Sequence, residues 1–204
     1  MNTQLIRKQI SKLMGLAIAA TTMAFAIPNS ADAAVFAKFD GIDGESKDDK
    51  HDKWIDVLSI DWGAHKPGGG ATGQSRRRGA AVVEDLTLTI EYEKASPKLQ
   101  ESCLTGKVIP KLEIELTKTV GGNSADGTQG RRVVYLRYEL KNVLITSYSF
   151  RHKVGQRADG SEQVPTEDFS LNFEEIKVTY TEYDSEGNKG GNAETTWKVE
   201  KGEK

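Results

Sequence analysis

The chain has 204 residues but only one cysteine, no excess of positive charge and no long hydrophobic run after residue 33. Because Cys103 has no second cysteine to pair with, a disulfide within the chain is excluded, and stability must come from an ordinary core or from association. A membrane-spanning helix needs roughly 20 apolar residues. No segment of residues 34–204 approaches that length, so we predict no membrane span there.

The charge of the chain is close to balanced, with a slight acidic excess. There are 28 Lys and Arg residues against 30 Asp and Glu residues. Residues 1–33 hold three of the basic residues and one acidic residue, which leaves 25 against 29 and a net charge of −4 for residues 34–204. Nucleic acids and anionic lipids are bound through a basic face. We therefore expect neither of them to be a main partner.

The first 33 residues have the pattern of a secretory signal peptide. Three basic residues precede an apolar stretch over residues 13–27, and the triplet ADA at 31–33 fits a signal peptidase site. We predict a signal peptide over residues 1–33, cleaved between Ala33 and Ala34, and one domain over residues 34–204. An uncleaved anchor is the alternative for this segment.

Strict alternation of apolar and polar residues dominates the rest of the chain. This period of two predicts strands with one solvent-exposed face in DLTLTIEYE, KLEIELTK and WIDVLSIDW. The residues expected to point inward are Leu86, Leu88, Ile90 and Tyr92 in the first stretch, Leu112, Ile114 and Leu116 in the second, and Leu58, Ile60 and Trp62 in the third. In the third stretch Ile55 and Val57 occupy the other face, which indicates partial burial of both faces.

Two longer stretches change their phase partway. The apolar set of VVYLRYELKNVLITSY shifts across Lys141-Asn142, and that of FSLNFEEIKVTYTEY shifts near Glu174-Glu175. One extra residue in a strand, a β-bulge, produces such a shift, and bulged strands bend a sheet toward closure. We therefore predict a mainly β fold, either a barrel or a strongly coiled sandwich.

One short helix is predicted over Pro97–Thr105. Ser96 can cap its first turn, and Gly106 can end it in the left-handed conformation. Its apolar face comprises Leu99, Cys103 and Leu104. A helix of this length has little stability alone, so we expect it to dock on the sheet or to plug one end of a barrel.

The stretch GESKDDKHDKWIDVLSIDWGAH, residues 44–65, concentrates acidic residues and two of the three histidines. Four of its residues could ligate a divalent cation, namely Asp48, Asp49, His51 and Asp52. Their spacing matches no established metal motif. We favour a solvated loop over residues 45–53 that leads into a strand, with His51 and His65 in different loops on either side of that strand.

The chain also lacks the patterns of a catalytic centre. Neither a Gly-x-Ser-x-Gly elbow nor another nucleophile context is present, and we predict no enzymatic activity and no cofactor. A hydrolase or metal enzyme that uses residues 48–52 is the weakest alternative. The run Arg76-Arg77-Arg78 lies in a glycine-rich loop and could bind phosphate. We favour a mobile cationic loop that meets an acidic surface of a neighbouring subunit.

Three stretches, in this order and spacing, resemble the Hcp family, the tube-forming proteins of bacterial type VI secretion. They are FDGIDGESKDDKHDKWIDVLSIDWG, EDLTLTIEYEKASPKLQESCLTGKVIPKLEIEL and VPTEDFSLNFEEIKVTYTEY, and the resemblance covers nearly all of residues 36–183. It implies a single-domain β-barrel of two sheets with one short flanking α-helix, and no enzymatic activity. It further implies homohexameric rings that stack into a secreted tube, with a spike protein at the tip and small effector proteins in the pore.

The resemblance also bears on individual segments. Residues 62–81 match the loop that reaches the adjacent ring in the family, and our candidates for its contacts are His65, Lys66, Arg76, Arg77 and Arg78. The tail at 184–204 extends beyond the family core and adds a turn and a strand, AETTWKVE. Tubes of this family assemble in the cytoplasm, which translation from Met23 would allow. If the signal is used instead, the alternative is an exported barrel-ring carrier protein that does not form a tube.

Overall fold

The computed structural model describes residues 33–66, 81–122, 130–155 and 160–199. The predicted signal peptide, apart from Ala33, and the arginine run at 76–78 lie outside these residues. The strands are β1 (Val35–Phe39), β2 (Ile55–Asp61), β3 (Ala64–His65), β4 (Val82–Val83), β5 (Leu86–Glu91), β6 (Ile109–Val120), β7 (Arg131–Arg151), β8 (Thr166–Asn172), β9 (Glu175–Tyr183) and β10 (Lys189–Lys198), and the helix is α1 (Ser96–Thr105).

Six strands close into a barrel. The antiparallel neighbours run in the order β7, β6, β1, β2, β5 and β8, and β8 then pairs with β7 again. Strands β9 and β10 extend the sheet from β7, and β3 and β4 form a separate two-stranded hairpin. Within the residues that the structure describes, this arrangement confirms the predicted mainly β barrel with one short helix. Residues 193–198 of the predicted tail strand AETTWKVE lie in β10, which pairs with β9.

The long strand β7 makes closure possible because its two halves pair with different strands. Its first half pairs with β9 and its second half with β8. Asn142 lies between the halves with a φ of 50°, and Leu140 and Val143 on either side of it are both buried, which confirms the phase change predicted across Lys141-Asn142. The pairing with β6 keeps its register there, so the predicted bulge is wrong and the change comes from the backbone conformation of Asn142. The change near Glu174 is a break between β8 and β9 rather than a bulge in one strand. There the backbone N–H of Glu174 donates to the Lys141 carbonyl oxygen at 3.1 Å.

The core fills the barrel and follows the alternation of β5, β6 and β8. Its largest fully buried side chains are Phe39, Phe169, Ile55, Leu86, Leu88, Ile90, Leu99, Ile109, Leu112, Ile114, Leu140 and Leu171. The inward phase predicted for β5 is confirmed except at its end, where Tyr92 is exposed. On β6 the face opposite to the core is more buried than expected, since Glu115 and Thr117 are buried.

The facing predicted for Leu58 is wrong, because its side chain is 54% exposed. The register of β2 against β5 shifts between Val57 and Ser59, which leaves Leu58 as a bulged residue. Ile55 and Val57 are buried before the bulge, and Ile60 packs against the core after it. One extra residue therefore reverses the facing of the strand, as a β-bulge does.

Helix α1 begins one residue earlier than predicted, with Ala95 at the N-cap and no side-chain cap. The cap role predicted for Ser96 is therefore wrong. Its hydroxyl instead accepts a hydrogen bond from the backbone N–H of Glu93 at 2.9 Å. Gly106 ends the helix with a φ of 66°, in the left-handed conformation that was predicted.

The helix docks on the barrel through a narrow face. Leu99 is fully buried in the core, and Cys103 is half-buried against it. Leu104 does not share this face, because it is 80% exposed. Among the residues that the structure describes, no helix has the length and apolar character needed to cross a membrane.

Candidate functional site

The hairpin of β3 and β4 forms the root of the predicted inter-ring loop. His65 pairs in register with Val82, and its Nδ1 lies 3.4 Å from Oε1 of Glu84 at an exposed position. Lys66 is also exposed. Because Arg76, Arg77 and Arg78 lie outside the described residues, it stays a prediction that all five candidate residues act together.

The acidic stretch forms a strap, residues 43–54, which lies outside the barrel core. The backbone N–H groups of Gly44 and Ser46 donate to the carbonyl oxygens of Lys53 and Trp54, at 2.8 and 2.9 Å. A Cβ on Gly44 would lie 2.2 Å from the Trp54 carbonyl oxygen, so this close approach requires glycine. The strap is therefore an ordered hairpin-like segment.

The strap is tied to the turn that precedes α1. The backbone N–H of Glu45 donates to Oε2 of Glu93 at 2.8 Å, and the backbone N–H of Lys94 donates to Oε1 of Glu45 at 2.9 Å. At its start, Nζ of Lys38 on β1 lies 2.8 Å from Oδ1 of Asp43. These contacts anchor the first half of the strap to two separate elements.

His51 anchors the second half. Most residues of the predicted solvated loop over 45–53 are exposed, but the prediction is wrong at His51. Only 1% of His51 is exposed. Its ring stacks on Phe36 with centroids 3.9 Å apart and meets the edge of Trp54 at 5.0 Å. Its Nδ1 lies 2.7 Å from Oδ1 of Asp48, and its Nε2 lies 2.9 Å from Oε2 of Glu115. The imidazole therefore fills a slot on the outer face of β1 and β6.

Two arginines of β7 neutralise the carboxylates that flank the imidazole. Arg137 forms an ion pair with Glu115, and Nη1 of Arg132 lies 2.8 Å from Oδ2 of Asp48. We call His51, Asp48, Glu115, Arg132 and Arg137 the strap cluster. It joins the strap, β6 and β7 through charge-assisted hydrogen bonds.

The strap cluster shifts the pKa values of its members. Burial alone would lower the pKa of His51, but hydrogen bonds to Glu115 and Asp48 outweigh burial, and the pKa is raised. Burial alone would raise the pKa of both carboxyl groups. The hydrogen bonds to His51 and the charges of the arginines outweigh it, and both pKa values are lowered. The cluster is therefore stable with a charged imidazolium.

The alternative metal site at residues 48–52 does not form as a unit. Both nitrogens of His51 already face carboxylates, and Asp49 and Asp52 are exposed. Across the described part of the chain, no group of three or more His, Cys, Asp or Glu side chains is placed to hold a metal ion. The residues that the acidic stretch contributes serve the strap instead.

Glu167 is a buried acid that the sequence reasoning missed. On β8 it pairs in register with Ile90 of β5 and Phe150 of β7, and it has no exposed surface. Burial raises the pKa of Glu167, although the hydroxyl groups of Ser96 and Tyr148 lie near enough to offset part of this effect. Neither carboxyl oxygen has a hydrogen bond of good geometry among the described residues. Burial therefore disfavours the charged form of this carboxyl group.

The outward faces of β5, β8 and β7 form a hydroxyl face of small polar side chains. Asp168 accepts hydrogen bonds from Thr89 at 2.7 Å and Ser149 at 3.1 Å, and it pairs with Arg151 at 2.7 Å. No histidine takes part in these bonds among the described residues. The face is thus a satisfied polar surface rather than an activated nucleophile.

Two apolar surfaces are exposed elsewhere on the domain. Leu104 and Val108 flank the end of α1, and Tyr92 and Phe150 stand near the ends of β5 and β7. The rings of Tyr92 and Phe150 meet edge to face with centroids 5.9 Å apart. Large exposed apolar side chains that cluster in this way are typical of interaction surfaces.

Comparison with known proteins identifies one family. Residues 36–180 match the family model described as "Type VI secretion system effector, Hcp". Protein hcp1 of Pseudomonas aeruginosa is 32% identical over 166 residues, which cover 81% of this chain and 94% of that relative.

Solved structures agree with this match. A structure described as a type six secretion system protein has a TM-score of 0.70 at 28% identity and covers 84% of this chain and 99% of its own. Hcp1 from Salmonella typhimurium has a TM-score of 0.61 at 26% identity and covers 84% and 97%. The order of motifs, the closed six-stranded barrel and these matches lead to one conclusion: the chain belongs to the Hcp family of type VI secretion proteins.

Proposed function

We propose that the chain is the ring-forming subunit of a type VI secretion tube. Six copies close into a ring, rings stack into a tube capped by a spike protein, and small effector proteins travel in the pore. The observation that carries this proposal is the family match over residues 36–180, which spans the closed barrel. Hcp is a family of secreted structural proteins rather than an enzyme family.

The exposed apolar surfaces support ring formation. A ring closes through heterologous contacts, in which one patch of each subunit meets a different patch of the next. The domain offers two such patches, Leu104 with Val108 and Tyr92 with Phe150. Each would be desolvated in a ring, and burial of apolar area is the main driving force of association.

The hydroxyl face supports a role as the wall of the pore. Its side chains already satisfy one another, and the charge of Asp168 is paired with Arg151. A wall past which other proteins move needs a hydrated surface without apolar or unpaired charged groups that would hold them. We therefore assign this face to the pore, and the loop that begins at His65 and Lys66 to contacts with the next ring through Arg76, Arg77 and Arg78.

The signal-like pattern of residues 1–33 favours a second candidate function, an exported barrel-ring carrier that does not form a tube. The two candidates predict different routes out of the cell. The test compares the amount of the protein in the culture medium of its native host when the type VI secretion apparatus is intact and when it is disrupted. The N-terminal sequence of the mature protein is determined in the same samples.

For the tube protein we expect the amount in the medium to fall when the apparatus is disrupted, and the N-terminus to lie at or near Met23. An unchanged amount, with an N-terminus at Ala34, would contradict the proposal and favour the exported carrier.

A further inference from the structure

We propose that His51 is a proton-dependent clamp that holds the strap on the outer face of the barrel, and that loss of its proton releases the strap. The geometry of one buried ring carries this inference, because both of its nitrogens face carboxylate oxygens. The clamp lies within a single subunit and does not rest on the proposed ring.

The number of N–H donors that the contacts of His51 require shows that the ring is protonated at both nitrogens. A neutral imidazole has one N–H, whereas Nδ1 and Nε2 of His51 lie 2.7 and 2.9 Å from oxygens of Asp48 and Glu115. With only one N–H, one of these contacts would bring two lone pairs together. An imidazolium donates at both ends, so the observed contacts are satisfied only when the cluster carries this proton.

The surroundings of the ring contain charges of both signs. The strap contributes Asp48 and Lys50, β6 contributes Glu115, and β7 contributes Arg132 and Arg137. On β1, the uncharged ring of Phe36 stacks on the imidazole. The two arginines pair with the outer oxygens of the carboxylates and oppose the imidazolium charge. The carboxylates contact the ring directly and outweigh that opposition.

Loss of the proton has a defined structural consequence. Without an N–H at one nitrogen, His51 can bond to either the strap residue Asp48 or the barrel residue Glu115, but not to both. In either tautomer one carboxylate faces a ring nitrogen without a proton. When the neutral ring donates to Asp48, the second half of the strap loses its hydrogen bond to β6 and is held by the contacts of Asp48 and Lys50 with Arg132 of β7. Glu45 still ties the first half to Glu93 and Lys94. Release would uncover the apolar rings of Phe36 and Trp54 that now contact the imidazole.

The pH range of release follows from linkage. Because the pKa of His51 is raised in the folded protein, its stabilisation of the strap is fully present below the pKa of a free histidine, about 6.5. It is lost as the pH rises from there to the folded pKa. Over that range the equilibrium between held and released strap shifts by as much as tenfold per pH unit, because one proton is lost on release.

Trypsin can report the release because the strap contains the exposed residues Lys47, Lys50 and Lys53. The full chain is digested briefly between pH 6 and pH 9, strap cleavage is identified by mass spectrometry, and its rate is divided by that of an unstructured lysine peptide in the same tube. We expect a ratio that is flat up to about pH 6.5 and then rises by up to tenfold per pH unit. A ratio that does not depend on pH overturns the proposal.

Three variants separate a proton-dependent clamp from mere packing. His51→Gln cannot carry the proton, and we expect rapid strap cleavage at every pH. Glu115→Gln removes one of the two carboxylates that favour the proton. The ratio of strap cleavage to peptide cleavage should therefore stop rising, and reach its plateau, at a lower pH than in the wild type. His65→Gln, at an exposed histidine, is the matched control and should follow the wild type.

If His51→Gln does not fold, the comparison of Glu115→Gln with the wild type still decides. An unchanged plateau pH in Glu115→Gln overturns the proposal, as does a His65→Gln profile that has lost its pH dependence.

Discussion

Replacing Glu167 by glutamine should make the stability of the protein less dependent on pH. Glutamine has nearly the same shape as glutamic acid but cannot ionise. In the wild type the carboxyl group has no exposed surface, and burial raises its pKa. The substitution therefore removes one buried titratable group while it leaves the packing of the barrel nearly unchanged.

The sign and size of the effect follow from proton counting. Below the pKa of a free glutamic acid, about 4.3, residue 167 of the wild type holds its proton in both the folded and the unfolded state. The wild type and Glu167→Gln should then have similar unfolding free energies. Above it the unfolded chain releases the proton while folded Glu167 retains it. The wild type then loses about 1.4 kcal/mol of unfolding free energy per pH unit relative to Glu167→Gln, until the pH reaches the folded pKa.

The measurement is urea unfolding of both proteins at pH 4, 5, 6 and 7, followed by tryptophan fluorescence. Glu182→Gln, at an exposed position of β9, is the control and should change stability by less than about 0.5 kcal/mol. If the difference in unfolding free energy between wild type and Glu167→Gln stays constant over this range, Glu167 has the same pKa in both states and the prediction is wrong.

Two further predictions compare matched substitutions by urea unfolding. Leu99→Ala should cost about 3 kcal/mol, because it empties a fully buried site under α1, whereas Leu104→Ala, 80% exposed, should cost less than about 0.5 kcal/mol; equal losses would show that the helix does not dock as described. Gly44→Ala should cost about 2 kcal/mol, because its Cβ would lie 2.2 Å from the Trp54 carbonyl oxygen, whereas Gly191→Ala meets no atom within 4 Å and should be neutral; a neutral Gly44→Ala would mean that the strap is not held closely.

The parts of the fold that depend on local pattern could be predicted from the sequence. Alternation fixed the inward phase of Leu86, Leu88 and Ile90, since each position of a strand alternates between the two faces. The phase change at Asn142 could be inferred for the same reason, and the structure places a left-handed residue there. Closure of the barrel could be inferred only with the further argument that bulged strands bend a sheet toward closure.

The parts that depend on a distant partner could not be predicted. Leu58 is bulged because of its register with β5, and a bulge of this kind leaves no mark when apolar residues occupy both phases of the strand. His51 is buried because Glu115, 64 residues away, accepts its hydrogen bond, and no local pattern signals such a pair. Glu167 did carry a signal, since it shares its phase with the inward residues Phe169 and Leu171.

The mass of the protein in solution decides whether this Hcp family member is a ring subunit. Light scattering over a wide range of concentrations should give six times the mass of one chain, which is 22.4 kDa for all 204 residues, and the value should persist on dilution. A ring of this kind is held by large heterologous interfaces. A stable monomer at every concentration would mean that the protein is not a ring subunit.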